Sequence, residues 1–127
     1  MRPIPLLPRG LLVSAAFALA PCPALSEDLV MIEQAGCHYC AQWNAEIAPI
    51  YPKTSEGAFA PLRRVTLGSD EMDALMLARR VNFTPTFVIV DDAGQELARL
   101  EGYPGEDFFW SVLQQLLVEA TDYTPDP

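Results

Sequence analysis

The chain has 127 residues, half of them hydrophobic and a fifth charged, with a formal net charge of −9. That length holds one small domain, and the apolar share excludes a disordered chain. Seventeen acids against eight Lys and Arg exclude the electrostatic footprint of a nucleic-acid or anionic-membrane binder.

Residues 1–26 read as an export leader. Arg2 and Arg9 open it without an acid, Gly10 to Ala20 forms an apolar centre, and Ala24-Leu25-Ser26 supplies a small-residue end. The apolar run is far shorter than the roughly 20 residues of a spanning helix, so a cleaved signal peptide outweighs a membrane anchor. Pro21 directly before Cys22 fits a lipoprotein signal badly. Cleavage is expected after Ser26. It removes two arginines and no acid, and it removes Cys22, leaving Cys37 and Cys40 as a pair.

Residues 27–120 then alternate strands and helices. Leu29 to Ile32 suits a short buried strand. Trp43, Ile47 and Ile50 mark one helical face, and Pro49 and Pro52 end or kink that helix. Lys53 to Pro61 reads as a polar connection, and Leu62 to Leu67 as a second strand. Ser69 is a suitable N-cap for a helix with Met72, Leu75 and Met76 on its apolar face and Arg79-Arg80 at its end. Thr86 to Val90 is continuously apolar, as in a central strand covered on both faces. Asp91 to Gly94 turns the chain, and Leu97 to Glu101 pairs back. Phe109, Val112, Leu113 and Leu116 define a last amphipathic helix, and residues 121–127 form a polar tail expected to be flexible. The order β-α-β-α-β-β-α predicts an α/β fold: a mixed four-stranded sheet with helices on both faces.

The chemistry concentrates in Cys37-His38-Tyr39-Cys40, at the join of the first strand and first helix. A cysteine at a helix N-terminus faces unpaired N–H groups and the positive dipole end, which favour thiolate over thiol. Cys37 is thus the expected exposed nucleophile. Cys40, one turn inside the helix, is the expected buried resolving thiol and can close a disulfide with Cys37. Protonated His38 would favour the thiolate and a more oxidising disulfide, and Tyr39 adds an aromatic rim. A structural zinc site needs about four ligands, and after the leader the chain offers two cysteines and one histidine. No metal and no cofactor is expected. A purely structural bridge is disfavoured too, since so short a loop constrains little chain entropy. Pro85, in Thr84-Pro85-Thr86, cannot donate to a sheet ladder and marks a turn, an edge or a cis bond.

This combination resembles the thioredoxin superfamily: a CxxC between first strand and helix, a Thr-Pro before the third strand, and a ββα ending. The resemblance implies a thioredoxin-like fold over 27–120. It implies that Cys37 exchanges with a substrate sulfur, that Cys40 resolves the mixed disulfide, that Pro85 is cis, and that Thr84 offers its backbone to substrate. Gly36 and His38-Tyr39 stand where thioredoxin proper has Trp and Gly-Pro, which favours an extracytoplasmic specialist over a general reductase. Residues Glu33 to Thr54 and Glu101 to Trp110 are similar to the SoxS-type thioredoxins of bacterial sulfur oxidation. That similarity implies a periplasmic protein that keeps the thiol of a sulfur carrier protein of the Sox system in its active state, itself reset by a membrane or periplasmic redox partner. His38 inclines the motif toward oxidation, whereas this resemblance inclines it toward reduction. The rival readings are a non-catalytic docking module of the same fold, and a metal carrier using both thiolates and His38.

Weaker candidates complete the reading. Glu33 can be read as the acceptor of the Cys40 proton or, more simply, as a strand-end acid. Tyr103, in Gly102-Tyr103-Pro104-Gly105, is a candidate wall of the partner groove. Trp43, Trp110, Met72 and Met76 read as packing groups, and Arg63-Arg64 and Arg79-Arg80 as solvated charge.

Overall fold

The computed structural model describes residues 1–5, 10, 15–20 and 26–127. Half of the expected leader, including Pro21 to Leu25 with Cys22, lies outside the described residues. No helix among the described residues is long and apolar enough to cross a membrane.

Strand β1 (Asp28–Glu33) leads into helix α1 (His38–Glu46). Trp43 and Ile47 are buried as the periodicity predicts, but the helix stops at Glu46 and Ile50 is exposed. Pro49 explains the stop. It has no N–H to offer Ala45, its ring crowds the preceding turn, and it disfavours helical geometry at Ala48. A 3₁₀ turn follows at Tyr51–Lys53.

The connection 53–61, expected to be irregular, contains helix α2 (Ser55–Phe59). Thr54 caps it, its hydroxyl accepting from the Gly57 N–H at 3.0 Å. A Cβ on Gly57 would stand 1.9 Å from the Tyr51 carbonyl oxygen, so glycine is what lets this helix lie on the 51–52 backbone.

Strand β2 (Leu62–Thr66) pairs parallel with β1. Helix α3 (Asp70–Asp73) is capped by Ser69 as expected but lasts a single turn. The longer helix expected through Arg80 does not form. Instead Met76 bridges to Gln95, its N–H donating to the Gly94 carbonyl at 2.9 Å and its carbonyl accepting from the Glu96 N–H at 3.0 Å. Leu75 is buried, whereas Met76 is exposed.

Strands β3 (Thr86–Val90) and β4 (Glu96–Glu101) form the antiparallel hairpin, and α4 (Glu106–Ala120) closes the fold. The sheet order is β2-β1-β3-β4. Alternation along the strands divides the core. Leu29, Met31, Phe87 and Ile89 face α1 and α4, while Val30, Ile32, Val88 and Val90 face Leu75 and the α3 side. Every residue of β3 is buried, as a central strand covered on both faces requires.

The larger core is aromatic. Trp43 lies 5.1 Å from Phe87 and 5.7 Å from Phe109, and Tyr51 stacks on Trp110 at 6.1 Å. Residues 121–127, expected as a flexible tail, include a buried Tyr123. Its ring packs edge-on against Phe59, and its hydroxyl lies 2.9 Å from Ser55 Oγ.

Candidate functional site

The register aligns Ile32 of β1 with Thr86 of β3, and Thr86 with Glu101 of β4. The end of β1, the start of β3 and the end of β4 therefore meet at one margin of the sheet, where α1 also begins.

There Cys37 and Cys40 form a disulfide, with Cα atoms 5.2 Å apart. Cys37 is the N-cap of α1 in extended geometry, and its sulfur accepts the Cys40 N–H at 3.1 Å. After reduction that donor, with the helix dipole behind it, favours a thiolate at Cys37. The two sulfurs sit in unlike surroundings. Cys40 is 4% exposed and part of the core, whereas Cys37 lies at its margin. His38 and Tyr39 between them point outward, Tyr39 being 55% exposed and its ring edge-on to His38.

The Thr84–Pro85 peptide bond is cis. Three hydrogen bonds fix this loop. Gly102 N–H donates to the Pro85 carbonyl at 2.7 Å, Thr86 Oγ1 donates to the Phe83 carbonyl at 2.7 Å, and Gln34 Nε2 donates to Thr84 Oγ1 at 2.8 Å. Gln34 ties the approach to the CxxC directly to the loop carrying Pro85. The sequence reading missed it, because a glutamine in a turn carries no signal of its partner fifty residues away.

Two grooves flank the disulfide. One, of about 680 Å³, is lined by Glu33, Cys37, Cys40, Asn44 and Thr66 among others, and Asn44 Oδ1 is buried there without a partner. The second, of about 460 Å³, lies between Tyr39, Phe83, Thr84, Glu101, Tyr103 and Pro104. Phe83 is 60% exposed, a large apolar side chain spent on the rim of this groove. It too escaped sequence reading.

Tyr103 is buried at the floor, and its hydroxyl donates to the Glu46 carboxylate. Burial raises the Tyr103 phenol, and the anionic Glu46 raises it further. The hydrogen bonds from Tyr103 and Gln42 hold Glu46 below the usual carboxylate range. The pair therefore stays phenol and carboxylate, and it links α1 to the loop before α4.

Glu33 is half-buried and lines the first groove, and its carboxylate pairs with Arg64 Nη1 at 2.9 Å. Arg64 also lies 6.0 Å from the Trp43 ring. Among the described residues no cluster of three or more His, Cys, Asp or Glu is arranged to hold a metal ion.

Residues 26–117 match the family model of a thioredoxin-like domain. The chain is also similar to the crystal structure of the reduced periplasmic thioredoxin SoxS from Paracoccus pantotrophus. That similarity has 53% identity and a TM-score of 0.70, over 75% of this chain and 99% of that one. No curated protein matches the chain.

Proposed function

The chain belongs to the thioredoxin-like family and is a thiol–disulfide oxidoreductase, and from that premise we propose that it serves a cysteine-bearing protein partner in the periplasm. The reading includes removal of residues 1–26 on export. The partner class it favours is a sulfur carrier protein of a Sox-type sulfur-oxidation system, whose thiol it keeps reduced and active. The 53% identity to a periplasmic thioredoxin named SoxS supports that choice.

The observation that carries the mechanism is the unlike placement of two bonded sulfurs, one at a helix N-cap and one in the core. In the reduced protein the Cys37 thiolate attacks a sulfur of the partner's disulfide. A Cys37–partner disulfide forms and the other partner sulfur leaves as thiolate, taking a proton from water. Cys40 then loses its proton and attacks Cys37. The Cys37–Cys40 bond forms, the mixed disulfide breaks, and the second partner thiol is released. Two electrons have passed from the chain to the partner, and a second thiol donor resets the pair. Thr84 and Pro85 contact the partner chain on one side of the disulfide, and His38 and Tyr39 on the other.

A Cys40→Ser variant tests this reading. It should accumulate a mixed disulfide through Cys37 in periplasmic extract, released by dithiothreitol and absent when Cys37 is also replaced by Ala. Identification of the trapped protein names the partner. No trapped species, together with biological activity that survives Cys37→Ala, would instead establish a docking module without redox chemistry.

A further inference from the structure

The stretch from Ala74 to Pro85 joins α3 to β3 without regular structure, yet its far end supplies Phe83, Thr84 and Pro85 beside the disulfide. Beyond the three hydrogen bonds at that far end, a charged pair on β4 holds its middle. Glu96 and Arg99 side chains are each 4% exposed. Arg99 Nε and Nη2 both donate to the Glu96 carboxylate, the second at 2.8 Å. The remaining valences of the pair go to the irregular stretch. Ala78 N–H donates to Glu96 Oε2 at 2.6 Å. Arg99 Nη2 donates to the Arg79 carbonyl at 2.9 Å, and Nη1 to the Arg80 carbonyl at 3.1 Å.

Outside this knot, Arg79 Nη2 and, at 3.4 Å, Arg99 Nη1 reach Glu101, which lines the groove with Phe83. Three consecutive residues, Ala78 to Arg80, are thus held by their backbones through two side chains. A buried ion pair is a poor source of stability compared with apolar packing, and it is better suited to fixing one geometry. Here the geometry fixed is that of the groove wall. The Arg79 and Arg80 side chains are exposed, as expected of solvated charge, and it is their carbonyls that Arg99 anchors.

We propose that Glu96 and Arg99 are positioning residues for substrate recognition: they fix Ala78 to Arg80 on β4 and so hold Phe83 and Thr84 where a substrate chain meets Cys37. The proposal rests on the reading that the Thr84–Pro85 side of the disulfide receives the partner. The pair touches no reacting atom. Loosening it should weaken engagement of an extended substrate, while the attack of Cys37 on a small disulfide, which needs no groove, changes little.

The test compares two disulfides as oxidants of the chain, with dithiothreitol present to reduce Cys37–Cys40 after each turnover and its direct reaction with each disulfide subtracted. One is a synthetic peptide disulfide carrying Tyr beside its cysteine, and the other is Ellman's reagent. Glu96→Gln breaks the pair at one partner. The double variant Glu96→Met with Arg99→Met removes both charges, leaves neither one unpaired, frees the Ala78 to Arg80 backbone, and keeps the test available where the single variant fails to fold. Arg63→Ala, which removes a rim contact to Asp28 at 3.7 Å, is the control. The expected result is a KM for the peptide raised about tenfold with kcat within about twofold, and a rate with Ellman's reagent within about twofold. Arg63→Ala should move none of these. A peptide KM unchanged in both folded variants would overturn the proposal, as would an equal loss with both oxidants. Wild-type protein that reacts with Ellman's reagent but not with the peptide would overturn the reading of the groove itself, a different failure.

Discussion

Gly57→Ala is a substitution whose usual sign this fold reverses. In an ordinary helix it stabilises by about 0.4–1 kcal/mol, through lost freedom in the unfolded chain. Here the new methyl would stand 1.9 Å from the Tyr51 carbonyl oxygen, and backbone atoms of Tyr51 and Pro52 also lie within 3.1 Å. Reaching even a tight contact demands a retreat of about 1 Å by one backbone segment from another, in a close-packed interior. Overpacking of this kind costs about 1–3 kcal/mol. The retreat also strains two hydrogen bonds, Gly57 N–H to Thr54 Oγ1 and Tyr51 O–H to the Ala60 carbonyl. Each such bond contributes about 1 kcal/mol.

The expected net is a loss of about 3 kcal/mol, or a Tm lower by more than about 10 °C for a domain of this size. Thermal and urea unfolding of both proteins measure it, with Ala58→Gly, on the exposed side of the same helix, as a reference costing about 1 kcal/mol or less. Disulfide exchange by the folded variant at low temperature should match wild type within about twofold, since α2 lies away from the site. A Tm equal to or above wild type would refute the reasoning, for it would mean that the two segments part at no cost.

Two further outcomes follow from buried polar groups. Tyr51→Phe leaves the Ala60 carbonyl without its donor, now at 2.6 Å, and should cost about 1–2 kcal/mol in urea unfolding with disulfide exchange unaltered. Burial pushes the Glu96 carboxyl up, but hydrogen bonds from Arg99 and the Ala78 N–H outweigh it and leave the group below its ordinary value of 4.5. A lowered folded value contributes stability above the unfolded one and loses it as pH falls through the folded value, so Glu96→Gln should flatten the stability-versus-pH curve below about pH 4.5.

Much of this molecule was legible because its signals are local. Thr86 to Val90 could only be a strand covered on both faces, and Cys37 to Cys40 could only matter by standing where a helix begins. The Ser69 cap was equally plain, yet the helix after it ends within a turn, because Gly94 and Glu96 offer Met76 hydrogen bonds from a hairpin that comes later in the chain. Short-range pattern cannot see a distant competitor for the same backbone groups. The same limit hid Gln34, Phe83 and the Glu96–Arg99 pair, each defined by a partner brought close only by the fold. Helix α2 was nearer to view, since Thr54-Ser55-Glu56 is a reasonable cap, but the glycine in its first turns argued against a helix until the close backbone contact supplied a reason for it.

The strand order leaves β2 and β4 as the two margins of the sheet, and both are guarded against growth. On β2, Arg63 and Arg64 stand exposed on opposite faces of the strand, so a second sheet approaching that margin would meet a cationic side chain on either side. At the start of β4, Met76 occupies Gly94 and Glu96 backbone groups that could otherwise recruit a foreign strand. With both margins closed to strand addition, what the sheet leaves open to a protein partner is the end where Cys37 stands at the start of α1.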